Sequence, residues 1–87
     1  INMCLAERFG EWEARMEANY AAALARLPEE DAVRMRAGQL AWITYRGMMC
    51  EVEAGAMRGG SGEPMMRFGC LARVTEARAR ELADLPR

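Results

Sequence analysis

Apolar side chains recur every three or four residues through the first third of the chain. They occupy the positions Leu5, Phe9, Trp12, Met16, Tyr20, Leu24 and Leu27. This spacing places them on one stripe of a helix, and it predicts a first helix over residues 2–27 with Asn2 as its N-cap. The helix is expected to end there because Pro28 disfavours helical geometry in the residue before it.

A second helix is predicted over residues 28–54. Pro28 suits its first turn, the acidic residues that follow complement the helix dipole, and Gly55 is expected to stop it. Its apolar positions form two tracks: Val33, Ala37, Leu40, Ala41, Thr44 and Met48 on one, and Trp42, Tyr45, Met49 and Val52 on the other. A helix that is apolar on two sides is expected to lie between neighbours. This helix is therefore predicted to be central, with close backbone approach at Gly38 and Gly47.

Four glycines within residues 55–63 predict a loop. Pro64 then opens a third helix, predicted over residues 64–84 and ended by Pro86. Its inner face is expected to carry Met66, Cys70 or Leu71, Val74, Ala77 and Leu82. The predicted fold is all-α: a three-helix antiparallel arrangement with long helices 1 and 2, a glycine loop, a third helix and a disulfide staple. One domain is expected over residues 1–87.

Antiparallel packing of helices 1 and 2 brings the three cysteines to one end of the molecule. Cys50 closes helix 2 and Cys70 lies early in helix 3, so these two are predicted to form a disulfide. Closing the loop between them with this disulfide would stabilise the fold by roughly 3 kcal/mol. Cys4 is then left free or paired outside this chain. In the alternative, all three cysteines are reduced and buried.

Composition excludes several classes of function. The formal net charge is -1, and Arg and Glu alternate along the helices, so binding to nucleic acid is not expected. No run approaches the ~18 apolar residues of a membrane span. The chain has no histidine and Ser61 is its only serine, which leaves no Ser–His or Cys–His pair. No enzyme activity, catalytic residue or cofactor is therefore predicted.

The eight methionines are many for this length. Met48 and Met49 precede Cys50, and Met65 and Met66 are expected at the same end of the molecule. Thioether and thiolate ligands suit Cu(I), so copper handling is one interpretation. Methionine also fills irregular cores and adaptable binding surfaces, and this interpretation is favoured. No metal site is predicted.

Residues 39–50 resemble a family pattern of Gln, two residues, Trp, three residues, Arg, Asp, two residues and Cys. Downstream, Gly59-Gly60-Ser61 and a spaced Cys-Leu, Thr, Arg and Leu resemble the rest of it. The matching residues are Gln39, Trp42, Arg46, Cys50, Cys70, Thr75, Arg78 and Leu82. The family is the one named after the mycobacterial lysozyme inhibitor LprI. Gly47 departs from its usual Asp, so Arg46 is expected to find another acceptor.

The resemblance implies an exported binding module of the periplasm or cell exterior. Its partner would be a lysozyme or another wall-degrading enzyme. A structural or assembly module of the cell envelope is the alternative, and Met/Cys copper binding is a third. Members commonly carry a further cysteine upstream of the one that matches Cys4. Because the chain begins at Ile1 rather than at Met, it is expected to be a processed or trimmed product.

The glycine loop is the candidate binding segment, through Arg58, Gly59, Gly60 and Ser61. A lysozyme active site is a cleft with two carboxylates, to which Arg58, Ser61 and loop amides could donate hydrogen bonds. The glycines could also serve only to let the chain turn. Trp42 is expected in the core, while Arg46 and Arg78 are expected to bridge helices 2 and 3. The sequence leaves the oligomeric state open.

Overall fold

The computed structural model describes residues 4–86, which form three α-helices. These are α1 (Leu5–Arg26), α2 (Glu29–Ala54) and α3 (Glu63–Ala83), with a short 3-10 helix at Gly55–Met57 between the last two. No strand occurs within the described part of the chain. The predicted all-α, three-helix fold is confirmed.

The helix ends follow the local signals with small differences. The N-cap of α1 is Cys4, whose backbone N–H donates to Glu7 Oε1 at 3.3 Å, and the predicted cap Asn2 lies outside the described residues. Leu27, before Pro28, is extended and ends α1. Gly55 ends α2 as predicted, but its backbone is right-handed (φ -60°). The chain therefore continues into the 3-10 helix instead of reversing at once.

α3 is the central helix, so the prediction that helix 2 is central was wrong. Asn19 Nδ2 donates to the carbonyl of Ala79 at 2.9 Å, and the rings of Phe9 and Phe68 lie 6.3 Å apart, so α3 runs parallel to α1. α2 runs antiparallel to both. The physical reason lies in α3, whose buried face includes Ala72, Thr75 and Ala79. Such small side chains let neighbouring helices approach closely.

The core is small and shared by α1 and α3. Met16, Ala79 and Leu82 are buried at its centre, and half-buried side chains pack around them: Trp12, Tyr20, Met35, Trp42 and Leu85. Trp42 therefore borders the core instead of filling it. The predicted inner face of helix 3 was partly wrong. Cys70 and Leu82 are buried, but Met66 and Ala77 are exposed.

The first apolar track of α2 faces solvent, contrary to expectation. Leu40 is 69% exposed and Met48 is 68% exposed. The buried residues of α2 lie on the opposite side: Ala32, Gln39, Arg46, Cys50 and Ala54. A Cβ placed at Gly38 or Gly47 would meet no atom within 4 Å. Among residues 4–86, the predicted close approach at these glycines does not occur.

The molecule is a flat layer of helices. It measures 47 × 28 × 15 Å, and its radius of gyration is 14.7 Å, against about 12 Å expected for a compact chain of this length. The broad faces of the outer helices consequently stay open to solvent. No helix of residues 4–86 is both long enough and apolar enough to cross a membrane.

Candidate functional site

The loop between α2 and α3 is fastened at both ends. The sulfur atoms of Cys50 and Cys70 lie 2.13 Å apart, at disulfide distance, in line with the predicted staple. Arg67 supplies a second fastening, because its Nε donates to Glu51 Oε2 at 2.7 Å and its Nη2 to Glu63 Oε2 at 2.7 Å. The Cys50–Cys70 bond and the Arg67–Glu51 pair thus join α2 to α3, while the Arg67–Glu63 pair lies within α3.

Inside the loop the backbone follows a defined path. The Gly60 N–H donates to the carbonyl of Met57 at 2.9 Å, and the Glu63 N–H donates to the carbonyl of Gly60 at 3.2 Å. The Gly59 N–H donates to Glu63 Oε1 at 3.0 Å. Gly59 has φ +81°, a left-handed conformation that favours glycine. The glycines therefore serve the turn and also leave a narrow, ordered projection.

Two side chains of the projection are available to a partner. Arg58 and Ser61 are both exposed. The Arg58 guanidinium lies over the end of α2, where its Nη2 would be 2.8 Å from a Cβ at Gly55. Among residues 4–86, no carboxylate lies within salt-bridge distance of Arg58. Arg58 is thus in no ion pair of the described residues, although its charge also helps to lower the pKa of Glu51 and of Glu63.

The base of the loop carries ionised carboxylates. The hydrogen bond from Arg67 lowers the pKa of Glu51 below its ordinary value. The pKa of Glu63 is lowered by the hydrogen bond from Arg67 and, next, by that from the Gly59 backbone. Both carboxylates raise the pKa of Arg67 in return. All three groups are charged at neutral pH.

Arg46 lies at the junction of the three helices. It is only 9% exposed, and its Nη1 donates to Glu13 of α1 and to Thr75 Oγ1 of α3, the latter at 3.1 Å. Its guanidinium carbon lies 5.0 Å from the ring centre of Trp42 and 5.2 Å from that of Phe9. Glu13 is thus the acceptor that Arg46 uses where Gly47 replaces the usual Asp.

Arg78 and Gln39 form a second bridge, between α3 and α2. Arg78 donates from Nε and Nη2 to Gln39 Oε1 at 3.0 and 2.8 Å, and the Gln39 amide donates to Met16 Sδ at 3.6 Å. Leu82, one helical turn after Arg78, is buried in the core. The motif residues of the helices therefore lie within the helix packing, while Gly59, Gly60 and Ser61, which match the same family pattern, lie at the exposed loop tip.

Cys4 lies beside an open, mostly apolar groove at the start of α3. The groove is lined by Leu5, Ala6, Arg8, Pro64, Met65 and Phe68 as well as Cys4. The Cys4 thiol is exposed and makes no disulfide within the described chain. Its position is at the end of the molecule where the sequence predicts it.

The methionines near Cys50 have no thiolate to join, and Met65 is the methionine that lines the groove beside the Cys4 thiol. Cys50 is in a disulfide and offers no thiolate to Cu(I), while Met48 and Met65 face solvent. Within residues 4–86, no three His, Cys, Asp or Glu residues cluster closely enough to hold a metal ion. These contacts give no support to the copper interpretation.

The sequence predicted no role for two important side chains, those of Glu13 and Arg67. Arg67 had a local signal, since it lies one helical turn after Glu63, a spacing that favours an ion pair. Glu13 had none, because its partner Arg46 is 33 residues away.

The sequence of this chain is similar to sequences of known proteins. The chain is 47% identical over 51 residues to an uncharacterised protein of Rhizobium meliloti (strain 1021). The aligned segment is 59% of this chain and 37% of that protein, so the chain spans well under half of its relative's length. No solved structure matches. The sequence model of the family described as lysozyme inhibitor LprI matches residues 1–82. That match covers nearly the whole chain, which therefore belongs to the LprI lysozyme-inhibitor family.

Proposed function

We propose that this chain is an exported binding module that inhibits a lysozyme or a related wall-degrading enzyme, and is not itself an enzyme. The observation that carries the proposal is the fastened loop between α2 and α3, with Arg58 and Ser61 exposed on it. Family membership supports an inhibitor. A disulfide supports an oxidising compartment outside the cytoplasm.

Arg58 supplies the chemistry that a lysozyme cleft would recognise. Such a cleft holds two carboxyl groups, one of which must be protonated to act as general acid. A guanidinium placed beside that group favours its ionised form. The inserted loop would therefore block the cleft and also remove the proton needed for cleavage, while Ser61 donates a further hydrogen bond.

Order in the free loop supports tight binding. A loop loses conformational entropy when a partner fixes it, and this loss weakens the complex. Here the Cys50–Cys70 bond and the two ion pairs of Arg67 restrict the loop before binding. Less entropy is then lost on contact.

Acidic groups at the base of the loop support a cationic partner. Glu51 and Glu63 stay ionised, and Glu53 is half-buried nearby in sequence. Lysozymes of the cationic class would meet these carboxylates around the cleft. Such contacts between exposed charges weaken as salt rises.

The test compares three proteins in a cell-wall clearing assay with lysozyme at low and high salt. These are the parent, an Arg58→Ala/Ser61→Ala variant and an Arg26→Ala control. Arg26 is exposed at the far end of α1 and matches the loss of one guanidinium. We expect the loop variant to inhibit roughly tenfold less than the parent, equivalent to about 1.4 kcal/mol, and the control to match the parent.

Two outcomes would contradict the proposal at different levels. Equal inhibition by all three proteins would exclude the loop as the contact. No inhibition by the parent would exclude lysozyme as the partner. The alternative role as an assembly module of the envelope draws on a different feature, the exposed apolar side of α2.

A further inference from the structure

The outer side of α2 lacks charge over a long stretch. Between Arg36 and Glu51 the only charged residue is Arg46, which is buried on the opposite side. The stretch covers about 20 Å of helix. Large apolar side chains stand on it and beyond its ends: Val33, Leu40, Tyr45, Met48 and Val52, each more than half exposed. Isolated apolar residues on a surface are ordinary, but a continuous stripe marks an interaction surface.

We infer that this α2 stripe binds the α2 stripe of a second copy of the chain, with the two helices antiparallel. The twofold axis passes beside the helix midpoint, between residues 42 and 43. The inference does not rest on the inhibitory function, because the apolar residues of the stripe differ from the exposed residues of the loop tip, and Glu51 alone borders both.

The stripe is complementary to itself. About the proposed axis, Val33 of one copy lies level with Val52 of the other, and Ala37 lies level with Met48. Leu40 is likewise level with Tyr45. Ala37 and Met48 lie about 20° apart around the helix, so the long Met48 meets a small alanine at the centre of the contact. Leu40 and Tyr45 lie about 140° apart and flank that centre on opposite sides.

Charge at the ends of the stripe selects the antiparallel direction. Arg34 side chains are 71% exposed and those of Glu51 are 59% exposed. In the antiparallel pair, Arg34 of each copy lies level with Glu51 of the other. A parallel pair would instead place Arg34 beside Arg34, and like charges in contact are unfavourable. Within the chain Arg34 already pairs with Asp31 and Glu51 with Arg67, so the second copy adds an opposite charge near each end and leaves no like charges facing each other.

The size of the contact predicts a reversible dimer. From Val33 to Val52 the paired helices would touch over about 30 Å. A strip of that length and one helix wide buries on the order of 1,000 Å² in total, at the lower limit for a specific interface. Association is therefore expected to depend on protein concentration.

The test is sedimentation equilibrium of the disulfide-bonded protein over a range of concentrations, with three variants. Leu40→Glu places a charge in the middle of each stripe and is expected to be monomeric throughout. Arg34→Glu sets like charges against Glu51 and is expected to weaken dimerisation roughly tenfold. Arg26→Glu makes the same charge change outside the stripe and is expected to dimerise like the parent. Circular dichroism checks that each variant is folded.

Direction is tested by cysteine cross-linking in a Cys4→Ser background. A mixture of Val33→Cys and Val52→Cys chains is expected to form a cross-linked dimer. Val33→Cys alone is not, because two copies of residue 33 would lie about 28 Å apart. A parent that stays monomeric up to about 1 mM, or a Leu40→Glu variant that dimerises like the parent, would overturn the proposal. Self-linking of Val33→Cys alone would overturn the antiparallel arrangement.

Discussion

Arg46 is a residue of α2 whose side chain contacts both other helices. It extends from α2, donates to Glu13 of α1 and Thr75 of α3, and lies over the Trp42 ring. Burying a guanidinium is unfavourable unless its donors are satisfied and its charge is paired. Here both conditions are met. Arg46 therefore fixes the relative position of the helices instead of offering its charge to a partner.

Removing the Arg46 side chain tests this structural role. Arg46→Ala is expected to lower the free energy of unfolding by about 2–4 kcal/mol, because it breaks a largely buried pair and leaves Glu13 and Thr75 without their donor. Arg73→Ala is the matched control, since its pair with Glu53 lies at the surface and is worth about 0–1 kcal/mol. Urea unfolding measures both. Equal loss in the two variants would show that Arg46 has no special place in the fold.

Sequence reasoning found Arg46 but not its acceptor. The resemblance marked Arg46 as a motif residue, and the absent Asp implied a substitute. Which carboxylate takes that place depends on the order of the helices in space. Glu13 is one of many acidic residues on α1, and no local spacing distinguishes it. Long-range side-chain pairs of this kind require the packed structure.

At the scale of elements, the fastening of α2 to α3 combines a covalent bond with a charged cluster. Local signals predicted the helix ends well, because Pro28, Gly55 and Pro64 act on their own neighbours. The same signals could not predict the central helix. Apolar periodicity identifies faces that could be buried, and it does not say which face finds a partner. The small residues of α3 let it pack between the other two helices. Such residues contribute little to a pattern of large apolar positions, so the pattern does not reveal this role.

Breaking the Cys50–Cys70 bond is expected to destabilise the fold. The closed loop spans a sequence separation of 20 residues, for which the chain-entropy model gives about 3 kcal/mol. A Cys50→Ser/Cys70→Ser variant should lose about that much free energy of unfolding, while Cys4→Ser should change it little. Peptide mapping without reductant should recover Cys50 and Cys70 as one linked pair. Recovery of both as free thiols in the oxidised protein would contradict the staple.

Arg67 gives the loop base a dependence on pH. The pKa of Glu51 and of Glu63 is lowered in the folded state from the ordinary value of 4.5. A lowered pKa adds stability that is fully present above 4.5 and is lost as pH falls through the folded-state value. Arg67→Ala should therefore be less stable than the parent at pH 7. We expect the difference to shrink in acid, below pH 4.5.

Urea unfolding of both proteins from neutral to acidic pH measures this effect. Arg80→Ala is a suitable control, because its partner Glu76 lies on the same helix and remote from the loop. A difference between parent and Arg67→Ala that stays constant across that range would show that the two carboxylates do not carry the effect.

At the scale of the whole molecule, the flat shape separates two surfaces. The loop projects from the end of the layer where α2 meets α3, and the stripe runs along the outer side of α2. Because the layer is 15 Å thick, it has few buried residues that could connect the loop with the stripe. The sequence showed both apolar tracks of α2, but a compact bundle was the natural expectation, and in such a bundle both tracks would be covered. The open stripe became visible only when α3 proved to be the central helix.

Separation of the surfaces predicts that dimerisation and inhibition are independent. Leu40 is 69% exposed on the stripe, whereas the loop candidates Arg58 and Ser61 lie beyond the end of α2. Leu40→Glu should therefore abolish self-association and leave inhibition of lysozyme unchanged per chain. Arg58→Ala/Ser61→Ala should do the reverse, keeping the dimer and losing inhibition.

The measurement pairs sedimentation with the clearing assay on the same preparations, and Arg26→Ala serves as the control for both. The physical basis is additivity, since substitutions without shared contacts act separately unless a structural change couples them. A Leu40→Glu monomer that inhibits less than the parent would mean that the partner enzyme contacts the stripe, or that inhibition needs two loops at once. Dilution of the parent separates these two cases. If two loops are needed at once, inhibition per chain falls as the dimer dissociates on dilution, whereas a partner that contacts the stripe of one chain is not weakened by dissociation.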